Sequence, residues 1–334
     1  TARAIKDFFI FVRYIKNSNA EELIFEKKDF RSFLISYFTK IKACYPNNYN
    51  SKVYQNRKNL IDTAYKKIID VNSYPLKLKN TKKLQFDLLQ KKPLIKINDI
   101  DIFIHNSALT NPKNELYKDY LLKTNIQLTK QALLLAKKLK VKKFFLISST
   151  SVYRGIQKDR FNERSRTSAK DPYSISKLLG EKIANRFCKK NNLQFSIFRL
   201  GNIYSGNEKR KWSRSNVSIL QQWIDDFRKN KTLTTNSFEC LRDWTFLTDI
   251  PSAIHSIIEN NNNFKILNLV SPHILKDIDV MKEITKNKKL LKSKNIKAIH
   301  NASYSIYLDK IKFKNWTSPK KAIRLIKRVN DEKT

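Results

Sequence analysis

A tyrosine and a lysine stand four residues apart in Tyr173-Ser-Ile-Ser-Lys177, downstream of the apolar run Phe144-Phe145-Leu146-Ile147, which ends in Ser148-Ser149. On a helix this spacing places the phenol and the ammonium on one face. The ammonium favours the phenolate, so a hydroxyl with a pKa of roughly 10 becomes usable as a proton acceptor near neutrality. A hydroxyl at the end of a buried strand, the place expected of Ser149, can hold a substrate oxygen beside it. Ser149, Tyr173 and Lys177 are therefore the candidate catalytic set.

Such a set needs a strand to carry the serine and a helix to carry the other two. The apolar pattern predicts short strands over 83–87, 100–105, 141–147 and 193–200, and helices over 125–139, 173–189 and 216–230. This alternation indicates an α/β fold, a Rossmann-like doubly wound parallel sheet covered on both faces. Ligands of such sheets lie beyond the carboxyl ends of the strands. Asp87, Ser107, Ala108, Ser149 and Gly201 fall just past those ends. The expected organisation is a dinucleotide-binding domain over 1–205 and a smaller C-terminal substrate-binding domain over 206–330, with 240–260 returning to the first. Upstream of residue 80 the pattern is less clear. Segments 4–14 and 29–41 suit helices or buried strands, and 51–71 reads as an amphipathic helix.

The chain has 334 residues, 41% hydrophobic and 11% aromatic, enough for a sizeable core. No apolar stretch is long enough to span a bilayer. Lys and Arg number 68 against 29 Asp and Glu, a net charge of +39. That excess suits an anionic partner, whether a phosphorylated small substrate, a nucleic acid or an anionic surface. The lysines are spread along the whole chain alongside abundant Asn and Ile, which reads as compositional drift with an anionic small substrate. Cys44, Cys188 and Cys240 are odd in number and far apart, which argues against a disulfide framework and for the cytoplasm or the mitochondrial matrix. No metal-ligand spacing is present.

Read in order, the motifs resemble those of the extended short-chain dehydrogenases/reductases, the NAD-dependent epimerase/dehydratase group. Phe86-Asp87-Leu88-Leu89 is similar to the segment that borders the adenine, and Asp101-Ile-Phe-Ile-His-Asn-Ser107-Ala108 to the following strand and its turn. Thr124-Asn125 matches the Asn-bearing helix, Ser148-Ser149-Thr150-Ser151-Val152-Tyr153 the serine segment, and Asp171-Pro172-Tyr173-Ser-Ile-Ser-Lys177 the Tyr-Lys helix. Phe198-Arg199-Leu200-Gly201-Asn202-Ile203-Tyr204, Leu241-Arg242-Asp243-Trp244 and Phe313-Lys-Asn-Trp316 complete the series. The resemblance implies nucleotide-sugar epimerase, dehydratase or reductase chemistry with NAD or NADP, in a chain that could form a homodimer. It implies cofactor contacts from Asp87, Leu88, Ser107, Ala108, Asn125, Tyr173 and Lys177. It also implies substrate contacts from Thr150, Asn202 and Arg242, the last as a fork for a diphosphate.

One element of that pattern is missing. The four glycines are Gly155, Gly180, Gly201 and Gly206, so no glycine-rich phosphate loop precedes the first of them. Segments 33–38 and 47–50 are the candidates for a first strand and a degenerate loop. The alternative function is a non-catalytic structural or nucleic-acid-binding subunit on the same fold. Two polar residues carry blander expectations: Asp249 as a turn stabiliser and His105 as a satisfied core histidine. Arg242 with Asp243 could instead be a structural pair.

Overall fold

The computed structural model describes residues 9–15, 20–25, 67–70, 88–89, 100–110, 118–154, 160–206, 208, 210, 216–297 and 302–331. The expected strand 83–87, Asp87 itself, and segments 29–41 and 47–50 lie outside them. In chain order the strands are β1 (Phe9–Ile15), β2 (Ala20–Phe25), β3 (Lys67–Asp70), β4 (Ile102–His105), β5 (Lys143–Ser149), β6 (Arg160–Phe161), β7 (Gln194–Leu200) and β8 (Asn202–Tyr204). They continue with β9 (Leu233–Thr235), β10 (Leu241–Phe246), β11 (Ile266–Leu269), β12 (Ile274–Lys276), β13 (Leu291–Ser293) and β14 (Ala302–Ser303). The helices are α1 (Lys118–Lys138), α2 (Pro172–Lys190), α3 (Ile219–Arg228), α4 (Asp249–Glu259), α5 (Asp277–Ile284) and α6 (Pro319–Asp331).

The main sheet has the order β11-β7-β5-β4-β1-β2-β3. From β11 to β4 every pairing is parallel, as the alternation of strands and helices predicts. Residue alternation along these strands loads both faces. Ile102, Ile104, Phe145, Ile147, Phe198 and Leu200 meet Ile250, Ala253, Ile254 and Ile257 of α4 on one side. Phe103, Phe144, Leu146 and Ile197 meet Leu128, Ala132 and Ala136 of α1 and Ala184 and Cys188 of α2 on the other. Helix α4 thus belongs to the core of the main sheet.

Two features differ from the expected pattern. β1 pairs with β4 antiparallel, Phe9 opposite His105 and Val12 opposite Ile102, so the sheet is not parallel throughout. The helix expected over 51–71 is corrected at its end: Lys67–Asp70 is a strand, with Ile68 and Ile69 opposite Leu23 and Ile24. Its β-branched pair suits a pleated ladder better than a helical turn.

A second unit is built from α3, α5 and α6 around the three-stranded sheet β12-β10-β8. Its core holds Tyr204, Trp223, Trp244, Phe246, Met281 and Ile326. Both indoles are satisfied, Trp223 donating to the Thr234 carbonyl at 2.9 Å and Trp244 to the Leu275 carbonyl at 3.1 Å. Among the described residues no helix is long and apolar enough to cross a membrane.

Candidate active site

Helix α2 begins where the sequence demands it. Asp171 caps it by accepting from the Ser174 amide at 2.9 Å, and Ser174 Oγ accepts from the Asp171 amide at 3.2 Å. Pro172 opens the first turn, where its missing N–H costs nothing. A cap of this kind contributes about 1 kcal/mol. The consequence for chemistry is position: Tyr173 lies in the first turn, where the partial positive charge of the helix end also favours a phenolate. The half-buried Tyr173 ring packs on Leu109 and Leu121, which limits its movement.

Lys177, one turn on, is buried, and its ammonium lies 5.8 Å from the centre of the Tyr173 ring. Its Nζ donates to the carbonyl of Ile147, in β5, at 2.9 Å. A buried ammonium can make three hydrogen bonds, and among the described residues this one makes a single bond. Burial brings its pKa down from 10.5 to about 8, against the opposing field of the Glu181 carboxylate. Two residues beyond Ile147, Ser149 ends β5 and starts the 3-10 turn Thr150–Tyr153, its Oγ accepting from the Ser151 amide at 3.2 Å. Among the described residues its own proton has no acceptor. Strand and helix thus bring Ser149, Tyr173 and Lys177 to the carboxyl end of the sheet. Thr150, half-buried, is the first residue of that turn.

The turn after β4 is tied to α2 by one side chain. Asn125 Oδ1 accepts from the Leu109 amide at 2.8 Å, and its Nδ2 donates to the Leu109 carbonyl and to Ser176 Oγ, each at 2.9 Å. Both amide protons are used within the protein, so Asn125 locks the 107–109 turn to the helix. Ser107 is buried and Ala108 half-buried in that turn, while Leu88 is buried in the core beneath it. His105 is buried beside Thr129, 3.4 Å from its hydroxyl.

On the second unit's side, Gly201 and Asn202 lie against Asp243. Asp243 Oδ2 accepts from the Asn202 amide at 2.8 Å, and Oδ1 accepts from Asn202 Nδ2 at 2.9 Å and from the Ser303 amide at 3.0 Å. A side chain at Gly201 would overlap Asp243 Oδ2, which is why glycine stands there. Burial pushes Asp243 up to about 7, even though these N–H donors favour its charged form. Arg242 does not pair with Asp243. Its Nε and Nη2 grip the fully buried Asp277 at 2.7 and 3.0 Å, leaving Nη1 without a described hydrogen bond. Asp249 anchors the α4 start to the Thr317 amide at 2.7 Å and hydroxyl at 2.8 Å.

Sequence reasoning missed a buried network beneath the candidate set. Glu181, four residues past Lys177, receives Arg199 Nε at 2.9 Å and Nη2 at 2.6 Å, and Ser148 Oγ at 2.5 Å. Arg199 Nη1 donates to Tyr153 Oη at 2.6 Å, which donates to Asn268 Oδ1 at 3.0 Å. The available signal was a charged residue inside the apolar strand 195–200. Among the described residues no cluster suits a metal ion.

Solved structures share this fold. UDP-glucuronic acid 4-epimerase from Bacillus cereus in complex with NAD superposes with a TM-score of 0.65 at 19% identity, over 88% of this chain and 90% of that one. dTDP-glucose 4,6-dehydratase from Bacillus anthracis in complex with NAD gives 0.63 at 20% identity, over 80% and 88%. At such identity the likeness speaks for the fold. In sequence, the chain is 27% identical over 198 residues to dTDP-D-glucose 4,6-dehydratase of Dictyostelium discoideum, a match spanning 55% of this chain and 44% of the relative. The chain thus matches less than half the length of that curated relative. The family model for NAD dependent epimerases/dehydratases matches residues 52–269, which contain the whole candidate set, and the chain belongs to that family.

Proposed function

We propose that this protein is an NAD-dependent enzyme that epimerises, dehydrates or reduces a nucleotide sugar through Ser149, Tyr173 and Lys177. The observation that carries the proposal is the buried Lys177 ammonium, held among the described residues by a single carbonyl one turn from Tyr173. Burying a cation whose donor protons are not all satisfied is costly. A ribose diol placed there would accept those protons, so the residues fit the nicotinamide end of the cofactor. At the pyrophosphate end, Ser107 and Ala108 offer a turn at the strand mouth, and Leu88 and Asp87 would border the adenine. The described β1 runs away from that edge, so the phosphates would depend on side chains and amides rather than on a glycine loop.

Bound nicotinamide would accept or return a hydride at the sugar carbon. Tyr173 would take or give the proton on the attached oxygen, which prevents charge from accumulating there. Ser149 would donate to the same oxygen while Ser151 holds its Oγ in place. Lys177 would keep Tyr173 in its phenolate form, and Asn125 would hold the turn and helix in register. Asn202, fixed by Asp243, and Arg242, fixed by Asp277, would meet the nucleotide diphosphate, Arg242 through Nη1. Thr150 would face the sugar. The buried free thiols Cys188 and Cys240 suit a reducing compartment such as the cytoplasm.

The test is cofactor binding followed by turnover. NAD or NADH at millimolar concentration should raise the melting temperature and change nicotinamide fluorescence. Tyr173→Phe should cut turnover by about 10²–10⁴-fold with melting unchanged. Absence of nicotinamide binding, together with salt-sensitive RNA binding, would replace this reading by the non-catalytic one.

A further inference from the structure

We propose that Glu181 is a positioning residue for the Ser149–Tyr173–Lys177 set: its buried carboxylate clasps the end of β5 to α2 and places a negative charge one helical turn from the Lys177 ammonium. The inference uses the catalytic reading above only for its effect on turnover.

Three consecutive residues of β5 carry the argument. Ile147 receives Lys177 through its carbonyl, Ser148 binds Glu181 through its hydroxyl, and Ser149 presents the candidate catalytic hydroxyl. Because strand side chains alternate, Ser148 points to the α1/α2 face with Phe144 and Leu146, and Ser149 to the other. Holding Ser148 therefore fixes the height and tilt of Ser149 relative to the helix that bears Tyr173. On α2 the order Tyr173, Lys177, Glu181 repeats every four residues, so the carboxylate lies one turn below the ammonium.

Glu181 is itself buried, and Arg199 grips both of its oxygens. Arg199 stands on β7 rather than on the helix that carries Lys177, and is braced by Tyr153, whose ring lies 5.0 Å from the guanidinium. The carboxylate opposes the burial that lowers the Lys177 pKa. Ionisable groups on the packed elements include Tyr173 on α2, Arg199 on β7, Tyr153 on the turn and His105 at the end of β4, and none of these four is a carboxylate. Glu181 supplies the negative charge on the helical face of Lys177.

The experiment measures Lys177 itself. Full-length, cofactor-free protein is labelled competitively with acetic anhydride across a pH series, and the Lys177 peptide is quantified by mass spectrometry. In Glu181→Gln the loss of negative field should raise the Lys177 acid dissociation constant roughly three- to tenfold. The alkaline limb of turnover should move to lower pH with it. Glu181→Gln leaves Arg199 buried without its anion, so Glu181→Gln/Arg199→Met is measured alongside it, removing both charges together. An unchanged labelling midpoint in either folded variant would overturn the electrostatic role. Ser148→Ala keeps the ion pair and deletes only the clasp, and faster amide exchange over 147–151 is expected. Unchanged exchange there would overturn the clasp. A wild type without turnover, yet with the midpoint shift in the variant, would refute the enzymatic reading and leave the Glu181 assignment standing.

Discussion

Replacing Lys177 by methionine should stabilise the cofactor-free protein while removing its activity. The physical reason is that the ammonium is buried with one hydrogen bond among the described residues. Its pKa falls from 10.5 to about 8, and a fall of that size corresponds to about 3 kcal/mol of preference for the uncharged form. Methionine fills a similar volume without charge and loses the hydrogen bond to Ile147, worth about 1 kcal/mol. The net expectation is a gain of about 2 kcal/mol near pH 7. The sign with pH follows from linkage. The folded-state pKa lies below the unfolded one, so between about pH 8 and pH 10.5 the unfolded chain binds more protons and the wild type gains stability as pH rises. The variant's advantage must therefore shrink toward zero near pH 10. Urea unfolding of both proteins at about pH 7 and about pH 10 reads the two gaps, and taking the difference cancels the other lysines. A variant less stable than wild type near neutrality, or an advantage independent of pH, would refute the picture of a charge held at a cost for function.

Gly201→Ala should be among the most damaging single changes, because its methyl would overlap Asp243 Oδ2 and press on Val270 Cγ1 at 2.7 Å. A loss of about 3 kcal/mol or more is expected by denaturant unfolding. Asp243→Asn should cost about 1–3 kcal/mol, since both carboxylate oxygens accept from N–H groups and an amide nitrogen in either place would face a donor. A melting temperature within error of wild type would show that these donors find other partners.

Much of the fold was legible in the sequence. The strands and helices expected from residue 100 to 200 follow from short apolar runs alternating with helical spacing, and the structure keeps them, with α1 beginning at Lys118 rather than at the expected residue 125. The direction of β1 was not legible, because a strand's apolar alternation is the same whether its neighbour runs parallel or antiparallel. Residues 67–70 were misread because a short apolar run carries little periodicity of its own.

The sequence alone established the chemistry available: a phenol and an ammonium one helical turn apart, a hydroxyl at a strand end, and an order of motifs that names the family. Local spacing suffices for these because i and i+4 on a helix, or the last residue of a strand, are neighbours by geometry. Only the tertiary structure decided what holds that chemistry in place. Glu181 meets Arg199 and Ser148, Arg242 meets Asp277 rather than Asp243, and Asn125 meets Leu109, all across gaps that no periodicity spans. Buried charges and amides take whichever complementary partner packing brings within reach, and packing is a property of the whole folded chain.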